Sequence, residues 1–173
     1  MTKRCRARRF PAGIAGFSQL ELVVVICVAG VIAIFAAERF LYLEERAEKA
    51  ALEGVLAGLK MGLQIRMAEM LMTNQQAGIG ALEKENPVRW LQQPPGNYAG
   101  EYAAPAKSGY WYYAAREHQL VYLPNYSAHL DTGQSGNKEL WFRIAIRYEA
   151  SAVTGGRIPA GIGLVPAQGF KWF

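Results

Sequence analysis

The sequence is poor in the side chains that carry most enzyme chemistry. Its 173 residues include two cysteines, two histidines and a single aspartate, Asp131. Cys5 and Cys27 both lie near the start, so no disulfide can form within the rest of the chain. The sequence has no nucleophile-elbow serine, no glycine-rich phosphate loop and no zinc-type spacing. We therefore expect no enzymatic activity, no cofactor and no bound metal.

Positive charge is in excess only at one end of the chain. There are 19 basic and 14 acidic residues, and five of the basic ones precede residue 10. Without those five, 14 basic residues balance 14 acidic ones. A body without net charge argues against nucleic-acid binding. The aromatic run Tyr110–Tyr113 could stack on bases, but strand alternation would send two of its four rings into a core.

One long apolar run follows the basic start. Phe17 to Ala37 is 21 residues with one charge, Glu21. At the rise of an α-helix this run is about 31 Å long, which is enough to cross a bilayer core. Basic residues before the run predict a cytoplasmic N-terminus and a translocated body.

Three ordinary interpretations of the apolar run are a cleaved secretory signal, a buried core helix and a plain signal anchor. A cleaved secretory signal usually has a shorter run, and Ile34 or Phe35 occupies the position where its cleavage site needs a small residue. A buried core helix is rarely apolar on all sides in a small domain. A plain signal anchor fits the run but leaves Glu21 unexplained, and a carboxylate there costs on the order of 2.5 to 3.5 kcal/mol.

The stretch Gly16–Glu21, "GFSQLE", resembles the class III signal of type IV prepilins and type II secretion pseudopilins. The resemblance implies that a prepilin peptidase/methyltransferase cuts between Gly16 and Phe17 and N-methylates Phe17. It also implies assembly with other pilin-like subunits on an inner-membrane platform, with the head in the periplasm. The Glu21 carboxylate of one subunit would then pair with the Phe17 amine of another, because an unpartnered buried charge is destabilising by several kcal/mol.

The chain departs from the family pattern at two places. Ser18 and Gln19 stand where Thr-Leu is commoner, and Glu38 stands where many members have a helix-bending proline. The glycine-and-aromatic signature of major pseudopilins is not evident after the helix. These departures favour a minor or accessory subunit.

Helical character is predicted to continue past the membrane to about residue 76, giving one helix of about 55 to 60 residues. Apolar residues recur at intervals of three, four or seven residues, which predicts one apolar stripe along the helix. The stripe consists of Leu52, Leu56, Leu59, Leu63 and Met70. The four-residue spacing of Glu45, Lys49 and Glu53 predicts exposed charge pairs. Gly78 and Gly80 are the expected terminators.

Small residues recur every four positions on a face roughly opposite the leucines: Ala50, Gly54, Gly58 and Gly62. An interior glycine costs about 0.8 to 1 kcal/mol relative to alanine. Such residues allow a close approach of another backbone. They predict a helix buried on two faces, one against its own sheet and one against neighbouring helices, unless the spacing is chance.

The remainder predicts a small antiparallel sheet after a loop with one helical turn, which Asn86 caps and Pro87 begins. Four strands are expected, at 110–115, 119–123, 140–148 and 162–165. The order of helix then sheet predicts an α+β fold, which pilin-like proteins share. The predicted organisation is a removed leader, a membrane-spanning half-helix, an amphipathic half-helix and a periplasmic head, at residues 1–16, 17–37, 38–76 and 77–173.

Two hypotheses of different class follow. The first is a structural filament subunit of a secretion pseudopilus or a pilus, and the second is a signal-anchored periplasmic binding or scaffold protein. The remaining polar candidates are weak: His118 is expected in a solvated turn, and His129 lies in a polar loop. A calcium site formed by Asp131, Asn137 and Glu139 is conceivable, but the spacing matches no known calcium loop, and ordinary loop polarity explains these residues better.

Overall fold

The structure is a computed structural model that describes residues 18–133, 138–150 and 156–173. The chain separates into an N-terminal unit that ends at Phe40 and a second unit, Leu41–Phe173. The predicted cleavage junction, Gly16 and Phe17, lies outside the described residues.

One helix, α1, runs from Gln19 to Met72, 54 residues in all, slightly shorter than expected. Its N-terminal part, with mean hydropathy 2.8, is long and apolar enough to cross a membrane. None of that apolar window is buried within the chain. A single helix of this kind is compatible with single-pass membrane anchoring.

The helix ends earlier than Gly78 and Gly80 predicted, because Asn74 stops it. Asn74 has a φ of 57°, the left-handed conformation that asparagine tolerates. The backbone N–H of Gln75 donates to the carbonyl of Met70 at 2.8 Å, and that of Asn74 donates to Leu71 at 3.4 Å. This pair of bonds is a Schellman motif, which satisfies the carbonyls left free at a helix C-terminus.

Two short 3₁₀ helices connect α1 to the sheet, at Gln76–Lys84 and Pro87–Trp90. The second was predicted, and its cap is confirmed: the Asn86 side chain accepts a hydrogen bond from the backbone N–H of Val88 at 3.1 Å. The first was not predicted; it buries Ile79 and Leu82.

The described residues after them form seven strands: β1 Tyr98–Glu101, β2 Tyr110–Ala114, β3 Gln119–Leu123, β4 Leu130–Asp131, β5 Leu140–Ala150, β6 Arg157–Pro166 and β7 Lys171–Trp172. Five form one sheet in the order β1-β2-β3-β5-β6, and β4 pairs with β7 in a separate two-stranded sheet. The four predicted strands are β2, β3, β5 and β6, and they pair antiparallel in the expected meander.

The sheet differs from the prediction at its edges. β1 lies within a segment predicted to be loop, and it pairs with β2 in parallel, so the sheet is mixed. β6 is longer than the predicted 162–165 strand. The fold is nevertheless α+β and pilin-like, as predicted.

The leucine stripe of α1 packs on the sheet. Leu52 and Leu59 are buried with Trp111, Leu120 and Phe142 in the main core cluster. Leu63 and Met70 belong to a second cluster with Ile144 and Ile162, and Leu56 packs partly buried against the first. Full burial of such a side chain is worth about 1.5 to 3 kcal/mol, so this stripe fixes the rotation of the helix on the sheet.

One charged residue of the helix was predicted wrongly. Glu45 is 2% exposed, so it is not part of an exposed series with Lys49 and Glu53. Lys49 and Glu53 do lie close, with Nζ and Oε1 3.9 Å apart. Glu45 is seven residues before Leu52 and fourteen before Leu59, so it lies on the buried face of the helix.

Candidate functional site

The predicted assembly residue Glu21 lies in the first turn of α1, in the N-terminal unit. Its side chain and its neighbours Leu20 and Leu22 are exposed. A carboxylate in the first turn interacts favourably with the helix dipole. No ion pair is formed by Glu21 among the described residues, which leaves the carboxylate available to a group from elsewhere.

In the second unit, the helix face opposite the leucine stripe is also apolar and exposed. It runs from Leu43 to Met72, about 44 Å at the standard rise. Its larger side chains are 56 to 86% exposed: Leu43, Met61, Ile65 and Met72. Between them lie small exposed residues, namely Ala47, Ala50, Gly54, Ala57 and Ala68. Apolar residues arranged in this way form a surface able to pack against another helix.

The predicted row of small residues does not lie on one face. A Cβ added at Gly54 would have nothing within 4 Å, and one added at Gly58 would only touch Leu91 at 3.8 Å. At Gly62 it would lie 2.7 Å from the Trp90 carbonyl oxygen. Gly62 is therefore a site of close approach within the chain, whereas Gly54 lies in open space.

Glu45 accepts three hydrogen bonds that the sequence did not reveal. The backbone N–H of His129 donates to Oε1 at 2.8 Å, and the indole Nε1–H of Trp172 donates to the same oxygen at 3.0 Å. The His129 ring nitrogen Nδ1 lies 2.7 Å from Oε2. The signal that could have located this carboxylate was its phase, since it falls in register with the leucine stripe.

A second carboxylate of the helix holds the same loop. Glu48 accepts bonds from the Tyr122 hydroxyl at 2.7 Å and from the backbone N–H groups of Asn125 and Tyr126 at 2.8 Å each. Glu48 thus accepts hydrogen bonds from two backbone N–H groups of the loop after β3, which need a hydrogen-bond partner.

These contacts shift the pKa values of Glu45 and Tyr122. Burial raises the pKa of Glu45, but the hydrogen bonds from His129 and Trp172 outweigh it and leave the pKa below its usual value. Burial, with the bond to Glu48, raises the pKa of the Tyr122 phenol. Glu45 therefore acts as an ionised acceptor at neutral pH.

His129 also belongs to an aromatic cluster. Its ring stacks on Phe173, with centroids 5.0 Å apart, and meets Tyr42 edge-on at 5.6 Å. Lys49 donates from Nζ to the Trp172 carbonyl at 2.7 Å and lies 5.8 Å from the centre of the Phe173 ring. These contacts place His129 in a structural position, between the helix and the last strand.

The other sequence candidates have structural partners. Asp131 accepts from the backbone N–H of Gly133 at 2.9 Å, and Asn137 lies outside the described residues. Glu139 accepts from the Tyr102 hydroxyl at 2.8 Å and from Trp141 Nε1 at 3.1 Å, on the sheet face away from α1. Among the described residues, no three acidic, histidine or cysteine side chains cluster as a metal site would require.

His118 and the aromatic run also have simple positions. His118 is exposed in the turn between β2 and β3, as expected, with a φ of 55°. Two rings of the run Tyr110–Tyr113 are buried, Trp111 and Tyr112, and as neighbours they lie on opposite sheet faces. Both faces of this strand are therefore covered.

Comparisons of the chain with protein-family models, with curated proteins and with solved structures found no match.

Proposed function

We propose that this chain is a structural subunit, of the minor or accessory kind, of a type IV-type filament: a type II secretion pseudopilus or a type IV pilus. The observation that carries the proposal is the placement of Glu21. It is a single carboxylate in the first turn of a long exposed apolar helix, five residues after a glycine that resembles a prepilin cleavage site. A simple membrane anchor has no use for a charge that costs a few kcal/mol.

The proposed chemistry at Glu21 is electrostatic. Cleavage after Gly16 would give Phe17 a new α-amine, a cation at the start of an apolar helix. In a bundle of such helices, the Phe17 amine of one subunit would form an ion pair with the Glu21 carboxylate of its neighbour, so that neither charge is left without a partner. A subunit in the wrong register would leave both charges unpaired, so the pair would select the correct register.

The exposed apolar face of the helix supports the same role in the second unit. This face, from Leu43 to Met72, is covered by nothing in the described chain, and its small residues would let a neighbouring helix approach closely. Gly54 lies at its centre with open space around it. We therefore place Gly54, and not Gly62, at the proposed contact with another subunit.

The proposal implies specific partners and a location. A prepilin peptidase/methyltransferase would process the leader, and an inner-membrane platform would add the subunit to the filament. The protein would cross the inner membrane once, with its N-terminus cytoplasmic and its head periplasmic. The role is mechanical, so it assigns no cofactor and no catalytic residue.

The test is the chemical identity of the mature N-terminus. Co-expression with a prepilin peptidase, followed by intact mass and terminal sequencing, should give a chain that begins at N-methyl-Phe17. Gly16→Val should accumulate uncut precursor, while the matched leader variant Gly13→Val should be processed normally. An intact Met1, or a cut after the apolar run, would instead favour the signal-anchored binding or scaffold protein.

A further inference from the structure

Three segments distant in sequence meet at the carboxylate of Glu45. The helix supplies Glu45 itself, the loop between β3 and β4 supplies His129, and β7 supplies Trp172. The side chain of Glu45 is 2% exposed, whereas that of His129 is 51% exposed. The buried carboxylate therefore contacts an imidazole that is itself half-exposed to solvent.

The segments that Glu45 holds have few other backbone contacts. The β4–β7 ribbon consists of two residue pairs, Leu130 with Trp172 and Asp131 with Lys171. Beyond these pairs, the backbone N–H of Phe173 donates to the His129 carbonyl at 3.4 Å. An isolated two-stranded ribbon is marginally stable at best. This ribbon therefore depends on the burial of Leu130 and Trp172 in the main core and on the polar contacts of Glu45 and Lys49.

The elements that meet at Glu45 carry several other titratable or charged groups. On the nearby turns of the helix, the loop between β3 and β4, and strands β3, β4 and β7 these are Tyr42, Glu44, Arg46, Glu48, Lys49, Tyr122, Tyr126, His129, Asp131 and Lys171. Within this set, His129 is the group bonded directly to the Glu45 carboxylate. Lys49 is bonded instead to the Trp172 carbonyl.

We propose that Glu45 and His129 form a proton-operated latch that holds the β4–β7 ribbon and its preceding loop on the helix. The latch is closed while Glu45 is ionised and accepts all three hydrogen bonds. It opens when Glu45 takes up a proton, because a carboxylic acid accepts hydrogen bonds more weakly than a carboxylate. Its O–H group is also a donor, which cannot pair with the N–H donors of His129 and Trp172. The inference does not rest on the proposed filament role.

The direction of the linkage follows from the pKa of Glu45. Its value in the closed state is below the usual 4.5. A group of this kind stabilises the closed state above its usual pKa, and that stabilisation is lost as the pH falls through the closed-state value. Between the two pKa values, the equilibrium constant for opening rises by about tenfold for each unit by which the pH falls, since one proton is bound on opening.

The neutral form of His129 does not break the latch by itself. An imidazole that keeps its proton on Nδ1 can still donate to the carboxylate. The geometry therefore requires the Nδ1–H tautomer of the neutral ring, which ¹⁵N chemical shifts of the imidazole distinguish from the Nε2–H tautomer.

The experiment measures local opening by hydrogen exchange in the full-length chain, held in detergent, from pH 7 down to pH 3. Protection factors are compared for peptides that cover 127–133 and 170–173, which exclude the Asn125 and Tyr126 amides bonded to Glu48, with the β2–β3 hairpin, 110–123, as the internal reference. The two latched segments should lose protection on acidification before the hairpin does. Glu45→Gln should expose them at neutral pH and abolish their separate pH dependence, while the exposed control Glu53→Gln should behave as wild type.

Two results would overturn the latch. One is an acid profile in which the latched segments and the hairpin open together, or in which Glu45→Gln retains the wild-type profile. The other concerns wild-type protein alone and does not depend on a variant that folds: neutral His129 found as the Nε2–H tautomer would be incompatible with the 2.7 Å contact to Glu45.

Discussion

Replacing the glycines of the helix by alanine gives a matched series of variants, in which the free energy of unfolding is expected to rise at one position and to stay level or fall at another. Alanine is favoured over glycine in a helix interior by about 0.8 to 1 kcal/mol, whatever the position. At Gly54 nothing opposes that gain, because a Cβ there has no neighbour within 4 Å. We expect Gly54→Ala to raise the free energy of unfolding by about 1 kcal/mol.

At Gly62 the same methyl group meets a fixed backbone. It would lie 2.7 Å from the Trp90 carbonyl oxygen and 3.3 Å from its carbonyl carbon. Trp90 ends a 3₁₀ helix capped by Asn86, and its ring lies under the Arg66 guanidinium at 4.6 Å, so it cannot move aside easily. Overpacking of this kind costs about 1 to 3 kcal/mol, which cancels or exceeds the propensity gain.

The free energies of unfolding of the two variants should therefore differ by about 1 to 3 kcal/mol, with Gly62→Ala the less stable. Gly58→Ala, whose Cβ makes an ordinary 3.8 Å contact with Leu91, should resemble Gly54→Ala. Urea unfolding of the full-length chain in detergent, followed by tryptophan fluorescence, measures all three variants. Equal stabilisation by Gly54→Ala and Gly62→Ala would refute the close approach at Trp90.

Two further predictions concern charge. Glu21→Gln should be inserted and cleaved like wild type but should be recovered poorly in sheared filaments, since the Phe17 amine would lack its partner; wild-type incorporation would contradict the proposed pairing. The hydrogen bond to Glu139, together with burial, raises the pKa of Tyr102 to about 12. Glu139→Gln should return the phenol's ultraviolet titration toward its usual value of 10.0, and an unchanged titration would exclude Glu139 as the cause.

The predictions that succeeded rest on regular periodicity. The leucine stripe recurs over five turns, so its phase could be read without knowing what it packs against. Four of its five residues, Leu52, Leu59, Leu63 and Met70, are buried, and Leu56 is partly buried. β5 alternates in the same readable way, with Leu140, Phe142 and Ile144 facing the core. Long repeats carry enough independent positions to determine a face.

The predictions that failed depend on contacts between distant residues. β4 and β7 are two residues each, too short for alternation to be recognised, and each exists because of the other. The helix end after Met72 is the exception, because it is determined locally, by a left-handed backbone conformation of Asn74 that many asparagines do not adopt. Glu45 appeared to be one member of an exposed charge series because its partners, His129 and Trp172, are 84 and 127 residues away.

The glycine row shows why spacing alone assigns a helix face poorly. Four residues advance a helix by about 400°, so each step of four adds about 40° to a full turn. From Ala50 to Gly62, three such steps rotate the side-chain direction by about 120°. Ala50 and Gly54 therefore lie opposite the leucine stripe, whereas Gly62 has turned toward the loop that contains Trp90.

That rotation gives one row of small residues two separate consequences. At Gly62 the missing side chain lets the chain's own loop pack closely on the helix, which concerns folding. At Gly54 it leaves a shallow place on an exposed apolar face, which under the proposed function concerns assembly. A bulky Gly54→Leu should then leave urea stability at or above that of wild type, because leucine is also a better helix former than glycine, while preventing incorporation into filaments. A destabilising substitution such as Gly62→Leu should reduce both together, so the two measurements separate a folding contact from an assembly contact.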